Sequence, residues 1–223
     1  SILNTKQPVA QISRGLLFIS SLLMAIYSYT QVGLVLTHAL MAVFPLLTVL
    51  LSGVFLEEKI TRIKIVAVGV GFLGVIIIIN PINLQVSLIS FLPLISAVTF
   101  AIYAVLTRKV ALTDNTETSF FWVSLVSAIA ITIPSPLFYK PIQISDIYFL
   151  FLLCFFSLVG HFLLTNAYRH TEASVLQPFS YFHLFFASLV GIIFFKDPLT
   201  ISTIAGGSLI VFGGILISRQ TQE

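Results

Sequence analysis

The sequence predicts an all-α integral membrane protein, because of its composition and the spacing of its apolar segments. Of its 223 residues, 58% are hydrophobic and only 9% are charged, whereas a soluble domain carries about 25% charged residues. A membrane-spanning helix needs roughly 20 apolar residues, and nearly every charge lies between segments of that length. We predict eight transmembrane helices, at approximately 15–34, 37–56, 62–80, 87–107, 118–138, 146–168, 173–195 and 200–218.

Polar residues and prolines mark the ends of these segments. Thr61, Thr200 and either Thr171 or Ser174 stand where helices are predicted to begin, and their oxygens can cap free backbone N–H groups. The pair Asn80–Pro81 and Pro136 end helices on the opposite side. Pro178 has two interpretations. It either loosens the seventh helix where polar surroundings satisfy the freed carbonyl, or it lies in the first turn of that helix.

Basic residues are distributed unequally between the two predicted sides of the membrane. Only Lys140 and Lys196 fall on the side opposite the N terminus. The positive-inside rule therefore places both termini in the cytoplasm of a multi-pass cell-membrane protein. The nine basic residues on the N-terminal side are Lys6, Arg14, Lys59, Arg62, Lys64, Arg108, Lys109, Arg169 and Arg219.

An internal repeat relates the third segment to the eighth. An offset of 139 residues places Phe55–Ile78 on Phe194–Ile217. The two copies are five helices apart, an odd number, so they are inverted in the membrane, as in many transporters. The matched positions include Glu58 with Asp197, Thr61 with Thr200, Gly74 with Gly213 and, read backwards, Tyr29 with Tyr168.

The repeat also predicts how the domains are divided. The fourth and fifth helices, within 87–138, have no partners under this offset. We therefore expect a ten-helix protein in which two further helices precede Ser1. Residues 1–80 would then hold the last three helices of the first repeat, and residues 81–223 the complete second repeat of five helices.

Four runs of sequence resemble the drug/metabolite transporter superfamily. They are RGLL at 14–17, FPLLTVLLSGVFLEEKIT at 44–61, PLISAVTFAIYAVLTRK at 93–109 and ASVLQPFSYFHLFFASLVGIIFFKDPLT at 173–200. The chain is most similar to the ten-helix branch built from two EamA domains. That branch often carries Gly-Glu at the end of its fourth and ninth helices. Here Glu57-Glu58 and Lys196-Asp197 keep the acidic residue and lack the glycine.

The resemblance implies a function as well as a fold. Members of this superfamily move amino acids, nucleotide sugars, vitamins and other small metabolites, some inward and some outward. The resemblance also implies a central cavity between two halves, open alternately to each side.

Polar side chains within the apolar segments are the candidate substrate contacts. Gln177 and Tyr181 are four residues apart and share one face of the seventh helix, whereas His183 points away from both. Tyr103 and Thr99 form a second polar stripe on the fourth helix. These five residues are our predicted substrate-binding set.

Histidines and other aromatic residues in the segments have competing interpretations. His161 and His183 lie at bilayer depth, where each is either a cavity ligand or proton-switchable group or a neutral residue bonded across a helix pair. His38 and His170 lie at predicted membrane edges. On the face opposite Gln177, Phe179 and Phe186 are expected to pack or to meet lipid. Interfacial anchoring explains Tyr29, Tyr139, Tyr148 and Tyr168.

Together these patterns predict a secondary transporter that moves a small organic metabolite by alternating access. Its partners are a small-molecule substrate and the lipid bilayer. Scattered basic residues do not predict nucleic-acid binding, the histidines lack metal-ligand spacing, and no cofactor motif is present. Two alternatives stay open: a non-transporting membrane scaffold, and an intramembrane enzyme acting on lipid, for which no nucleophile or metal cluster is visible. The sequence does not specify an oligomeric state.

Overall fold

The computed structural model describes residues 2–31, 34–79, 88–138, 141–183, 185, 186, 189, 193 and 201–220. Within these residues the regular elements are α-helices and three short 3₁₀ helices, at Leu88–Ser90, Ser135–Phe138 and Ile144–Asp146. The α-helices are α1 (Pro8–Gln31), α2 (Leu34–Met41), α3 (Phe44–Phe55), α4 (Arg62–Ile79), α5 (Phe91–Ala111), α6 (Thr116–Thr132), α7 (Ile147–His170), α8 (Ala173–Ser180) and α9 (Ile201–Gln220).

The predicted all-α membrane fold is confirmed. Within the described part of the chain, three stretches are long and apolar enough to cross a membrane: Pro8–Gln31, Phe91–Ala111 and Ile144–His170. They correspond to the predicted first, fourth and sixth spans. The predicted third and fifth spans correspond to α4 and α6. Side chains in the middle of α7 are mostly exposed on the bare protein, as expected for a helix that faces lipid.

Two predicted spans are interrupted, and the prediction of continuous helices there was wrong. The span 37–56 divides at Ala42 and Val43 into α2 and α3, and Pro45 occupies the first turn of α3. The span 173–195 contains α8, which ends at Ser180, two residues after Pro178. Proline has no backbone N–H and its ring crowds the preceding turn, so a helix ends or restarts near it at low cost.

The first-turn interpretation of Pro178 is therefore also wrong, because α8 begins at Ala173. Of the predicted helix caps, Thr61 is confirmed: its Oγ1 accepts the backbone N–H of Lys64 at 3.3 Å. The cap of α8 is neither Thr171 nor Ser174, because the Glu58 carboxylate accepts the free N–H groups there instead. Thr200 and Asn80–Pro81 lie outside the described residues.

The helices form two packed groups. In the first, α1 lies against α5 and α6. In the second, α4 pairs closely with α9, and α8 contacts both. Helix α3 lies between the groups and touches α5 on one side and α8 on the other. This arrangement brings the two interrupted regions into the centre of the bundle.

The α4–α9 pair shows reciprocal contacts between positions related by the 139-residue offset. A Cβ added at Gly74 would lie 2.6 Å from the carbonyl oxygen of Gly206. A Cβ added at Gly213 would lie 2.8 Å from the carbonyl oxygen of Ala67. The offset equates Ala67 with Gly206 and Gly74 with Gly213. Each helix therefore contributes the glycine to one contact and the carbonyl oxygen to the other. Reciprocal contacts of this kind indicate a two-fold relation, and glycine permits the close approach of the two backbones.

Asp114, in the loop between α5 and α6, fastens the start of α1. Its carboxylate accepts hydrogen bonds from the Thr5 hydroxyl, from the backbone N–H of Lys6 at 3.0 Å and from Gln11 Nε2 at 2.9 Å. Burial alone would raise the pKa of Asp114, but the donors from Thr5, Lys6 and Gln11 outweigh it and hold the pKa below 3.8.

Replacing Asp114 with asparagine is expected to destabilise the protein by about 1–3 kcal/mol, because an amide cannot accept from all three donors. A depressed folded-state pKa gives stability that is present above the unfolded pKa and lost as pH falls through the folded value. Thermal unfolding in detergent, measured from pH 7 down to pH 3, should therefore show a shallower acid-side loss in Asp114→Asn than in wild type. The matched control is Asp146→Asn, at an exposed carboxylate, and an equal change in both variants would contradict this assignment.

Candidate functional site

A cavity of about 420 Å³ lies where the two interrupted regions meet. This is within the range of about 300–1,000 Å³ typical of small-molecule sites. Helices from both packed groups form its wall. The lining residues share two properties, a central position and mostly aromatic or apolar character: Tyr29, His38, Met41, Ala42, Phe44, Val75, Phe100, Leu164, Tyr168, Phe179, Ser180, Tyr181 and His183.

The two helix interruptions are joined directly by one hydrogen bond. The Tyr181 hydroxyl donates to the backbone carbonyl of Ala42 at 3.2 Å, across a sequence separation of 139 residues. The offset of the repeat therefore equates the donor residue with the acceptor residue. An interrupted membrane helix leaves carbonyls that must find other partners, and Tyr181 satisfies one of them. The Tyr181 ring packs against Gly71 of α4, where a Cβ would collide with it.

Aromatic rings dominate the cavity wall and stand close enough to form a stacking surface. The rings of Tyr29 and His38 have centroids 5.3 Å apart, and those of His38 and His183 are 5.4 Å apart. On another side, Phe44 meets Phe100 edge-to-face at 5.0 Å. Centroid distances of about 4.5–7 Å are those of favourable aromatic pairs. The wall therefore offers aromatic faces against which a planar ring can stack.

Polar groups on the wall are few. They include the hydroxyls of Tyr29 and Ser180 and the imidazoles of His38 and His183. No Asp, Glu, Lys or Arg occurs among the lining residues that the structure describes. A site of this type orients a ligand with a small number of hydrogen bonds and gains affinity from apolar contact.

The structure places two of the five predicted substrate residues, Tyr181 and His183, on the cavity wall. Gln177 lies behind the wall: it is fully buried, and its Nε2 donates to the Ala173 carbonyl at 2.9 Å and to the Tyr168 hydroxyl at 3.5 Å. Among the residues that the structure describes, none gives the Gln177 Oε1 atom a hydrogen-bond partner. Gln177 thus contacts the lining through Tyr168, and its direct contact with substrate stays a prediction.

Tyr103 and Thr99 are not on the cavity wall. Tyr103 is buried, its hydroxyl lies 3.0 Å from His161 Nε2, and its ring touches the lining residue Phe100 at a centroid distance of 5.3 Å. His161 is thus bonded across a helix pair, one of the two interpretations given to it. The Thr99 hydroxyl donates to the Ile95 carbonyl of its own helix at 2.8 Å. Substrate contact by Tyr103 and Thr99 stays a prediction.

Several wall residues were assigned elsewhere from the sequence. Tyr29 and Tyr168 were explained as interfacial anchors, His38 as a membrane-edge residue, and Phe179 as packing or lipid-facing. One signal could have found the two tyrosines: the 139-residue offset pairs them, and residues so paired around a two-fold axis can approach the same central space. For Phe179 the offset gives no such signal, because its partner under the offset, Leu40, is not a lining residue.

The comparisons of this chain with known proteins agree on a family of transporters. Residues 87–219, more than half of the chain, match the model of the EamA-like transporter family. A riboflavin transporter of Brucella anthropi is 28% identical over 201 residues, covering 87% of this chain and 71% of that protein. The pseudopaline exporter CntI of Pseudomonas aeruginosa is 28% identical over 208 residues, covering 92% of this chain and 73% of that protein.

Two further similarities extend over nearly all of the chain. An S-adenosylmethionine uptake transporter of Rickettsia bellii is 23% identical over 210 residues, covering 94% of this chain and 72% of that protein. A crystal structure with 15% sequence identity superposes on all of this chain and on 81% of its own, with a TM-score of 0.81, which establishes the shared fold. By its match over residues 87–219, the chain belongs to the EamA-like transporter family.

Proposed function

We propose that this protein is a secondary transporter that carries a small, planar, uncharged or weakly charged organic metabolite across the cell membrane by alternating access. The observation that carries the proposal is the aromatic cavity of about 420 Å³ at the meeting point of the two interrupted regions. Interrupted helices at the membrane midplane are where inverted-repeat transporters bind their substrates. Stacking against aromatic wall residues such as His38 and His183 favours a flat solute.

The repeat supports alternating access, since two related halves can exchange conformations around a central site. We assign residues 1–80 to the last three helices of the first repeat and 81–223 to the second. The reciprocal contacts of Gly74 and Gly213 support this division. The bond between Tyr181 and Ala42 supports it as well, because it joins equivalent positions.

The names of the relatives favour transport over a scaffold or a lipid-modifying enzyme. Two of them name substrates with a fused heterocycle, riboflavin and S-adenosylmethionine. We propose the same chemical class for this chain: a solute with a planar nitrogen heterocycle.

Ligand-induced thermal stabilisation of the purified protein tests the substrate class. Riboflavin and adenosine are the aromatic probes, and ribitol and ribose, which lack the ring system, are their matched controls. A ligand at a hundred times its Kd stabilises a protein by about 2.7 kcal/mol, so at least one aromatic probe should raise the unfolding temperature while its control does not. Equal effects of both members of each pair would contradict a stacking site.

We also propose that both termini are cytoplasmic, on the basis of the unequal distribution of basic residues. Lys59 and Ser145 are exposed and lie at opposite ends of the bundle, whereas Lys64 is buried and unsuitable for labelling. In a Cys154→Ser background, Lys59→Cys should react with an impermeant thiol reagent only from the cytoplasmic face, and Ser145→Cys only from the other face. Reaction of both cysteines from one face would overturn this topology.

A further inference from the structure

One end of the bundle is closed by a polar cluster centred on Glu58. Glu58 lies in the connection between α3 and α4, and its carboxylate accepts the N–H groups of Ala173 and Ser174 at 2.8 and 3.0 Å and the Ser174 hydroxyl at 2.7 Å. A carboxylate at a helix N terminus satisfies free donors and complements the helix dipole. Glu58 therefore ties the α3–α4 connection to the start of α8.

Arg108, at the end of α5, joins the first helix group to this cluster. Its Nε lies 3.7 Å from Glu58 Oε1, and its Nη1 donates to the carbonyls of Tyr168 and Arg169 at 2.8 and 3.1 Å. The Glu58 and Arg108 side chains are only 6% and 15% exposed. One ion pair thus connects α3, α5, α7 and α8 at a single end of the bundle. An ion pair between Lys64 and Glu172 lies beside it.

A thin apolar layer lies between this ion pair and the cavity. Its buried members are Ala104 of α5, Tyr168 of α7 and Ala173 of α8, with Leu56, Leu164 and Leu176 packed around them. Leu164 and Tyr168 also line the cavity. The cavity is therefore separated from the Glu58 end of the bundle by one layer of side chains, over which the ion pair lies.

The ion pair and the apolar layer beneath it form a contact that can separate at a low cost in free energy. A buried ion pair contributes little net stability, because bringing the charges out of water offsets their attraction, and both charges regain water when they separate. The layer beneath is small, so its separation exposes little apolar surface. By contrast, α4 and α9 are joined by close backbone contact at Gly74 and Gly213, which has no such low-cost alternative.

We propose that Glu58 and Arg108 form a latch that closes the cavity at this end, and that breaking the latch shifts the protein toward a state open at this end. This inference rests on the proposed function, since a latch has a use only if the cavity opens to each side in turn. The conformational step that the Glu58 carboxylate controls is release of the start of α8 together with the end of α5.

Cysteine accessibility in oriented membrane vesicles tests the latch. In a Cys154→Ser background, Ala104→Cys reports on the apolar layer, because Ala104 is fully buried beneath the ion pair. Ser180→Cys reports on the cavity wall. Arg108→Gln removes the ion pair and the two hydrogen bonds to the end of α7, and leaves the Glu58 cap of α8 intact. Glu58→Gln weakens both the ion pair and that cap.

With either latch variant, an impermeant thiol reagent applied at the Glu58 end should label Ala104→Cys about tenfold faster, as expected for the loss of one charge-assisted contact. Labelling of Ser180→Cys from the opposite end should fall in the same variants, because the two openings exclude each other. The matched controls Glu57→Gln and Lys109→Gln change exposed neighbours of the same charge, and should leave both rates unchanged.

Unchanged labelling of Ala104→Cys in both latch variants would overturn the latch. Faster labelling from both ends would also overturn it, since that result indicates loosened packing rather than a shift between two states. Uptake of riboflavin by the wild-type protein, measured in the same vesicles, keeps the two proposals apart. Absence of uptake with the expected labelling pattern would count against the proposed substrate class and not against the latch.

Discussion

Replacing Ser180 with tryptophan is expected to lower the apparent affinity for the transported solute by about a hundredfold, equivalent to about 2.7 kcal/mol. Ser180 lies at the end of α8 on the cavity wall, so an indole there occupies space that a planar substrate needs. The ring can also pack against the aromatic wall that would otherwise contact the substrate. Binding is therefore expected to fail while the protein still folds.

The matched control is Ser157→Trp, on the exposed side of α7, where an added indole meets lipid. Binding of the stabilising probe and protein abundance should be measured for both variants. Retained affinity in Ser180→Trp would show that the solute binds elsewhere. Equal loss of abundance in both variants would contradict the expectation that Ser180→Trp folds.

Alanine at Gly74 or at Gly213 is expected to destabilise the α4–α9 pair by about 1–3 kcal/mol in each case, the usual cost of forcing an extra methyl into a packed contact. The added Cβ would lie 2.6 or 2.8 Å from a backbone carbonyl oxygen of the facing helix. A backbone carbonyl cannot turn aside as a flexible side chain can, so the two helices must separate. Thermal unfolding in detergent and expression level both measure the effect.

Gly69 provides a control in the same helix, since a Cβ there would meet no atom within 4 Å. Gly69→Ala should be neutral or stabilise by up to about 1 kcal/mol, because alanine is the better helix former. The two sites at Gly74 and Gly213 should respond similarly, as expected for positions related by the repeat. A loss at only one of them would argue against reciprocal packing of α4 and α9.

The fold was largely predictable because membrane insertion leaves a strong pattern in the sequence. Long apolar segments separated by charges predicted α5 and α7 within a few residues, whereas α1 begins at Pro8, well before the predicted start at residue 15. The interruptions at Ala42 and after Ser180 were missed, because a hydropathy pattern does not distinguish a continuous helix from two short ones of the same composition. Pro45 and Pro178 carried the signal, but proline within a membrane helix is compatible with either outcome.

The site was predictable only in part. The position of a residue on a helical face gives the direction of its side chain, but not how deep that side chain lies in the bundle. Tyr181 and His183 reach the wall together, although the helical angle between them predicted different directions, because the helix does not run regularly through Tyr181. Tyr29 and His38 come from helices far in sequence from His183, and only the assembled bundle places the His38 ring between those of Tyr29 and His183. The partner of Glu58 at the start of α8 was equally non-local, at a separation of 115 residues.

The central claim is that the aromatic cavity carries a planar solute across the membrane, and uptake into proteoliposomes containing the purified protein tests it most directly. The measurement compares radiolabelled riboflavin with ribitol, which keeps the polyol chain and lacks the ring system, in the wild-type protein and in Ser180→Trp. We expect saturable uptake of riboflavin by the wild type, little uptake by Ser180→Trp, and no saturable uptake of ribitol by either. Saturable uptake of ribitol at a rate matching that of riboflavin, or riboflavin uptake unaffected by Ser180→Trp, would contradict it.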